Sequence, residues 1–492
     1  MSNNLKKDAI SGMLWSAVQK YSTMAVSFVS GIILARLLTP YDYGCIGMLS
    51  IFMVLAESFI DGGFGSSLIQ KKNPTQQDYS TIFYWNMMVS ALMYAVLFIS
   101  APYIARFYDI PLLSDVLRVQ ALVLFIHAFT LVQSNQLRKQ LNFKLISIVT
   151  IATSLISLSI TIIMAYKGFG VWALVAQNLI SASIPAIVYW FYIKWRPAWI
   201  FSWTSFKELF SFGFYVFLTN LLNKFSTQVQ GLLIGKFYNP ATLGYYSKAR
   251  STEMLATTSF SSVISQVTYP LYSKVQSDKQ MMANMLRHFL MPIAFMTFPF
   301  TCILILTAKP IFLLLYSDRW LPCVPYFQVL CLAGIANCLL SVNNQTIFAI
   351  GKSQTMFVWT IIKRAIGLGF VVVGLLVFGM KGLLGGVVLN TYFSYFVALM
   401  LVSKHIGYKW YAQIRDLLPV VVVSLLSLVI SYFCVEYLHF EIYLDGIFKG
   451  LVFIIIYITL SLIFKLEACS YTLSLIPDRF RFWHKFRSLL KI

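Results

Sequence analysis

Six charged side chains stand in stretches apolar enough to be surrounded by hydrocarbon: Lys20, Glu57, Asp61, Lys224, Lys248 and Arg250. A charge at the centre of a membrane helix costs about 2.5–3.5 kcal/mol on insertion scales, so such groups face a water-lined cavity or one another. Lys20 lies beside Gln19, and Lys224 lies close to Asn220 and Asn223. Cations held in a poorly hydrated gap imply an anionic cargo. Glu57 and Asp61 are four residues apart, one helical turn, and so share a face. They suit a proton or sodium ion, or an ion pair with Lys20, and the residue types leave both open. Lys248, Arg250 and Glu253 follow Gly244 within about two or three turns, where snorkelling to headgroups competes with a cavity role for Lys248. Lys363 and Arg364 are adjacent and must point in different directions, at least one of them inward. Arg118 and Lys449 sit near span ends, His127 reads as packed, and Arg36 and Lys236 anchor helix ends.

Motifs for bond-making chemistry are missing. There is no phosphate-binding glycine loop followed by Lys-Ser/Thr, no HExxH and no nucleophile elbow. Asp61-Gly-Gly-Phe-Gly65 is glycine-rich but lies inside an apolar run, where it allows a bend or close helix packing. The seven cysteines have no metal-ligand spacing and suggest neither zinc nor a disulfide framework. The expectation is a protein that is not an enzyme and carries no cofactor or metal.

The elements that must hold these charges are membrane helices. Of 492 residues 59% are hydrophobic and 11% charged, against about a quarter charged in a soluble domain. Apolar runs of about twenty residues recur. The expected spans are 11–37, 42–68, 79–105, 113–135, 145–166, 171–193, 207–236, 241–272, 284–307, 323–349, 354–378, 382–403, 415–437 and 443–465. The first run is long and lacks a small-residue cleavage site, so it reads as a span and not as a signal peptide. The net charge of +21 reflects loop cations, not nucleic-acid binding. With the amino terminus inside, the inner loops and tail carry 23 lysines and arginines and the outer loops seven. The positive-inside rule then puts both termini of a multi-pass membrane protein in the cytoplasm.

The chain also repeats itself. Gly31-Ile-Ile-Leu-Ala-Arg-Leu-Leu-Thr-Pro-Tyr-Asp-Tyr-Gly44 matches Gly231-Leu-Leu-Ile-Gly-Lys-Phe-Tyr-Asn-Pro-Ala-Thr-Leu-Gly244 without a gap, at an offset of 200. At 208, Pro102, Tyr108, Gln120 and Asn135 meet Pro310, Tyr316, Gln328 and Asn343; at 212, Gly170 and Asn178 meet Gly382 and Asn390. Six spans per copy return the chain to its starting side, so the halves are parallel repeats around a shared site. The expected fold is all-α, with about 14 transmembrane helices. It divides into an amino-terminal six-helix lobe (1–203), a second lobe (204–407), helices 13–14 (408–467) and a cytoplasmic amphipathic basic tail (468–492). Lys224 falls one turn beyond the place equivalent to Lys20, so the two cations are expected to face each other across the gap between halves.

Several segments carry a family likeness. They are Gly12-Met-Leu-Trp-Ser16, Ile33-Leu-Ala-Arg-Leu-Leu-Thr-Pro-Tyr-Asp-Tyr-Gly44, Ser67-Leu-Ile-Gln-Lys-Lys72, Ala101-Pro-Tyr-Ile-Ala-Arg-Phe-Tyr108, Gly168-Phe-Gly-Val-Trp-Ala-Leu174, Ile234-Gly-Lys-Phe-Tyr238 and Leu243-Gly-Tyr-Tyr-Ser-Lys-Ala-Arg250. Together, over about residues 1–410, they resemble the polysaccharide-transporter branch of the MOP flippase superfamily, the Wzx/WzxC-like lipopolysaccharide and exopolysaccharide flippases. The resemblance implies a V-shaped two-lobed bundle. It also implies alternating access that flips undecaprenyl-pyrophosphate-linked oligosaccharide to the outer leaflet. Lys20, Lys224, Lys248 and Arg250 would bind substrate, while Glu57 and Asp61 stay open between coupling to H+ or Na+ and a cavity ion pair. Implied partners are the lipid-linked oligosaccharide, the bilayer, a polysaccharide polymerase and chain-length proteins, with no nucleic acid. The alternatives are a cation-coupled MATE-type small-molecule antiporter on the same architecture and, behind it, a membrane-bound O-antigen polymerase or ligase. The latter class needs a larger outer loop than the roughly fifteen residues near 308–322.

Overall fold

Proline, glycine and short polar residues punctuate long apolar runs, and in the computed structural model those punctuation marks are the helix ends. The structure describes residues 3–275, 278–436 and 441–474. The expected interfacial tail, from 475 onward, lies outside the described residues. Every regular element among the described residues is helical.

The chain divides into two compact units, Met1–Ser247 and Lys248–Ile492. The first holds α1 (Asn3–Leu37), α2 (Pro40–Asp61), α3 (Phe64–Gln70), α4 (Gln76–Phe107), α5 (Leu112–Gln120), α6 (Val123–Lys139), α7 (Phe143–Tyr166), α8 (Val171–Tyr192) and α9 (Trp203–Phe237). There α1 packs on α7, α7 on α8, and α9 on α2 and α3. Next comes α10 (Pro240–Lys274), within which the units divide. The second unit continues with α11 (Lys279–Leu306), α12 (Ala308–Tyr316), a 3-10 turn (Asp318–Trp320), α13 (Cys323–Ala349), α14 (Ser353–Ile406), α15 (Trp410–Glu436), α16 (Ile442–Ile463) and α17 (Glu467–Ser474). Here α13 packs on α14 and α11, and α15 on α16 and α11.

Ten helical stretches among the described residues are long and apolar enough to cross a membrane by length and composition. One of them, Gln354–Ile406, contains two spans, because Gly379 (φ 61°, ψ −142°) breaks α14. Three further helices, α1, α9 and α10, have 35 residues each, about 52 Å at 1.5 Å per residue. They carry Lys20, Lys224, Lys248 and Arg250. Together these make the fourteen that the sequence predicts.

Local chemistry explains the ends. Thr39 caps α2 in a capping box with Asp42, and Pro40 occupies the first turn, where its missing N–H costs nothing. The second copy substitutes Asn239, whose Oδ1 accepts from the Thr242 N–H at 2.8 Å. Thr75 and Asp78 form the same box on α4. Lys71, in the loop before α4, pairs with Asp78 at 3.1 Å and with Glu208 of α9 at 2.9 Å. Burial pulls its ammonium down, but the hydrogen bonds and charges of Glu208 and Asp78 outweigh burial and hold it above the ordinary lysine value.

The backbone carries the repeat as clearly as the side chains do. Asp109 (φ 56°) and Ser317 (φ 88°) both adopt the left-handed region, 208 residues apart. Leu141 (φ 57°) recurs as Gly351 (φ 73°), so the matching turns hold three rare non-glycine strains and one glycine relief. Asn135 Nδ2 donates to Leu131 O at 3.0 Å, and Asn343 Nδ2 donates to Leu339 O at 3.1 Å. Gly170 (φ 53°, ψ −126°) opens α8, and its conformational match is Gly379, three residues before the Gly382 that residue matching pairs with it. Gly382 serves close packing instead. A Cβ there would overlap the Gly374 carbonyl, so the α14 hairpin closes through paired small residues.

Two glycine contacts organise the first unit. A Cβ on Gly44 would overlap the Pro240 carbonyl, and one on Gly244 would overlap the Pro40 carbonyl. The two repeat motifs thus cross in a reciprocal contact, each glycine seating the other copy's proline backbone. The span expected over 42–68 is broken: Gly62 (φ 51°) and Gly63 (φ 76°) separate α2 from α3. Gly63 lies against the backbone of Gly213 on α9 so closely that a side chain on Gly63 is excluded and one on Gly213 would be crowded.

Candidate functional site

The break after α2 positions the first polar centre. Asp61 ends α2, and its carboxylate faces the backbone amides of Gly63 and Gly65, the orphan donors at the start of α3. It borders a cavity of about 390 Å³ inside the first unit, lined also by Ser66, His127, Thr130, Ser134, Asn135, Arg138 and Ser181. His127, Thr130, Ser134 and Arg138 are spaced by three and four residues and so form one face of α6. The charges of Lys224 and Arg138 act on Asp61. Lys224 is half-buried on α9, and Glu57, one turn before Asp61, is half-buried as well. Lys20 is exposed on α1, whose neighbouring Gln19 donates to Thr150 of α7 at 3.3 Å. Among the described residues no ion pair joins Lys20 to Glu57 or Asp61. The sequence alternative of a Lys20 ion pair therefore has no counterpart here, and Lys224 is the candidate lysine whose field reaches Asp61.

A second polar centre lies within the second unit. Lys248 is 4% exposed; its Nζ stands 4.1 Å from the Tyr316 ring centroid and 5.7 Å from that of Trp320. Both rings follow from the turn around Ser317, and Tyr316 is fixed by a 3.1 Å hydrogen bond with Thr252. This aromatic box replaces the hydration that an ammonium loses on burial. Snorkelling, the alternative from sequence, is not how Lys248 is satisfied here.

Two residues further on, Arg250 is half-buried and its charge acts on two groups, Glu253 and Arg364. Glu253 is 7% exposed and accepts from Thr257 Oγ1 at 2.8 Å. Lys363, beside Arg364, is 8% exposed. The adjacent cations on α14 are thus both turned at least partly inward, where at least one was expected. Arg250 thus acts on both Glu253 and Arg364, and Lys363 adjoins Arg364, so cations outnumber the carboxylate in a poorly hydrated setting. Mutual repulsion there is relieved by an anion of two or more charges, and guanidinium groups match phosphate oxygens in pairs.

Sequence reasoning singled out Asp61 and Lys224, and separately Arg250, Lys363 and Arg364, but could not show which of them act on one another within each unit. It missed the α6 face that shares the cavity with Asp61. The three-and-four spacing of its polar residues was the available signal. By contrast Lys449 is structural: it pairs with Glu436 and Asp445, each at 2.9 Å.

Comparison with known proteins places this architecture. The chain is 26% identical over 358 residues to the teichuronic acid biosynthesis protein TuaB of Bacillus subtilis (strain 168), covering 72% of this chain and 74% of that one. It is 21% identical over 440 residues to the lipopolysaccharide biosynthesis protein WzxC of Escherichia coli (strain K12), covering 87% and 88%. The lipid II flippase MurJ, solved in an inward closed conformation, superposes with a TM-score of 0.73 at 18% identity, covering 92% of this chain and 98% of that one. An inward-facing multidrug resistance MATE family transporter of the MOP superfamily superposes with a TM-score of 0.61 at 14% identity, covering 80% and 98%. Both structural likenesses establish the fold. The family model described as polysaccharide biosynthesis protein matches residues 33–325, well over half of the chain, and the chain belongs to that family.

Proposed function

We propose that this protein is a flippase that carries lipid-linked oligosaccharide, on an undecaprenyl-pyrophosphate carrier, from the cytoplasmic to the outer leaflet of the bacterial inner membrane for surface polysaccharide synthesis. The observation that carries the reading is membership of the polysaccharide biosynthesis family by a chain whose membrane helices bury clustered cations. Relatives over most of the chain are named for teichuronic acid and lipopolysaccharide biosynthesis. A membrane protein in such a pathway fits the task of moving a charged, sugar-bearing lipid through hydrocarbon.

The mechanism is charge neutralisation with alternating access between two six-helix lobes, 1–203 and 204–407. Lys20, Lys224 and Arg250 meet the pyrophosphate, Lys363 and Arg364 add to the cationic set, and Lys248 is presented when its aromatic box opens. Asp61, with Glu57, takes up a proton or sodium ion that resets the empty carrier. Both termini are cytoplasmic, and a polymerase and chain-length proteins take the product onward. The tail (468–492) anchors in the inner interface, and helices 13–14 (408–467) offer a groove for the lipid chain. A MATE-type antiporter for organic cations is disfavoured by the second polar centre, where cations outnumber the single acid.

The test is complementation of a deletion strain with wild type, Lys224→Ala, Arg250→Ala and Arg364→Ala at matched membrane levels. The readout is surface polymer together with lipid-linked glycan retained on the inner face. Each single variant should lose tenfold or more of export, about 1.4 kcal/mol per decade, with glycan accumulating inside. Normal export by a Lys20/Lys224/Arg250/Arg364 quadruple alanine variant at wild-type abundance would end the assignment.

A further inference from the structure

Three membrane helices of the second unit end around a cavity of about 330 Å³. Its walls are Arg287 and Met291 of α11, Arg415, Asp416, Pro419 and Val420 of α15, and the turn from Phe464 to Ala468 between α16 and α17. Because α11 and α15 begin here and α16 ends here, the cavity lies at the membrane–water boundary, at headgroup depth.

The charges in it are unevenly satisfied. Arg287 pairs with Asp416 at 2.8 Å and with Glu467 at 2.6 Å. Tyr408 donates a further hydrogen bond to Asp416 at 2.5 Å. The two acids are therefore already engaged. Arg415 and Lys465 line the same cavity, and among the described residues neither takes part in an ion pair. Lys465 has φ 46°, a left-handed backbone that lysine rarely adopts. Met291, Pro419 and Val420 supply an apolar wall beside these cations.

We propose that this cavity binds the phosphate group of an anionic phospholipid, gripped by Arg415 and Lys465 with the start of an acyl chain against Met291, Pro419 and Val420. Basic pockets between membrane helices at an interface take acidic headgroups in this way. The site is separate from the cations assigned to the glycan carrier and stands whether or not that assignment holds.

The experiment uses the purified full chain in uncharged detergent. Native mass spectrometry and melting temperature are followed with phosphatidylglycerol, phosphatidylcholine or inorganic phosphate. Three proteins are compared: wild type, the Arg415→Gln/Lys465→Asn double variant, and Lys352→Gln, an exposed lysine outside the cavity. Asparagine tolerates the left-handed backbone, so the change removes charge without a new strain. Wild type and Lys352→Gln should retain phosphatidylglycerol and melt higher with it. The double variant should bind it roughly 30-fold more weakly, since each interfacial cation contributes about a factor of five. Phosphatidylcholine should give no shift, and millimolar inorganic phosphate should compete. Equal retention by the double variant, or a phosphatidylcholine shift as large as that of phosphatidylglycerol, overturns the proposal. Binding of inorganic phosphate alone, with none of the lipid, overturns the lipid as its source. If the double variant does not fold, the lipid comparison and phosphate competition on wild type still decide.

Discussion

At Glu253, a carboxylate 7% exposed is held by Thr257 within reach of the Arg250 charge, while Arg364 and Lys363 extend the positive cluster. Removing one member of a buried charge set leaves the others uncompensated, which costs about 3–5 kcal/mol. Glu253→Leu should therefore destabilise the purified protein by at least several degrees in melting temperature. Glu253→Gln should cost less, because the amide keeps an acceptor for Thr257. Equal melting of the two variants would show that the Thr257 hydrogen bond adds nothing, and wild-type melting of Glu253→Gln would show that the negative charge does nothing for its neighbours. The charges themselves were legible in the sequence, because ionisable groups in apolar runs are conspicuous. Their partners were not. Arg250 and Arg364 lie more than a hundred residues apart, and no periodicity encodes which loop brings Tyr316 and Trp320 over Lys248. Asp61 shows the same limit: its one-turn spacing from Glu57 was visible, whereas the α6 face around its cavity depends on helix packing.

At the scale of elements, glycine placement makes the sharpest demand. Gly44 and Gly244 each admit the other motif's proline carbonyl where a Cβ would stand. Gly44→Ala forces backbone apart at a helix crossing and should cost about 1–3 kcal/mol, as overpacking does. Gly369→Ala is the control: nothing lies within 4 Å of its added Cβ, and alanine in a helix gains about 0.5–1 kcal/mol over glycine. Melting curves that fell by the same amount for both variants would refute the crossing contact. The Pro-x-x-x-Gly motif was readable twice in the sequence, and its importance followed from that repetition. That the copies interlock was not readable, since matching residues do not say whether their helices touch. The break at Gly62–Gly63 was half legible: the glycine run signalled a bend, but a full change of helix needed two left-handed residues and the facing Gly213.

For the whole molecule, the loop cations and the membrane potential act on the same axis. The repeat returns the chain to its starting side after six helices, and the paired left-handed turns at Asp109 and Ser317 fall after the third span of each copy. Those two turns should therefore lie on the outer side, opposite the loops that carry most lysines and arginines. Phosphatase fusions at Asp109 and Ser317 should be active, and fusions after Lys139 and Lys352 should be silent; the reverse pattern would invert the topology and the direction of transport with it. Given that orientation, a carrier lipid with about two negative charges gains roughly 4–5 kcal/mol per 100 mV on moving outward. On the proposed mechanism the loaded step then needs no further drive, provided the protein's own cations stay behind, and the uphill step is the return of the empty carrier. A proton or sodium ion on Asp61 would act on that return. Asp61→Asn, which keeps the polar contacts to Gly63 and Gly65 but fixes the charge, should leave a single round of outward transfer in vesicles near normal. It should slow multiple turnovers at least tenfold and abolish their dependence on the ion gradient. If multiple turnovers in the variant still respond to the gradient as in wild type, the coupling ion binds elsewhere.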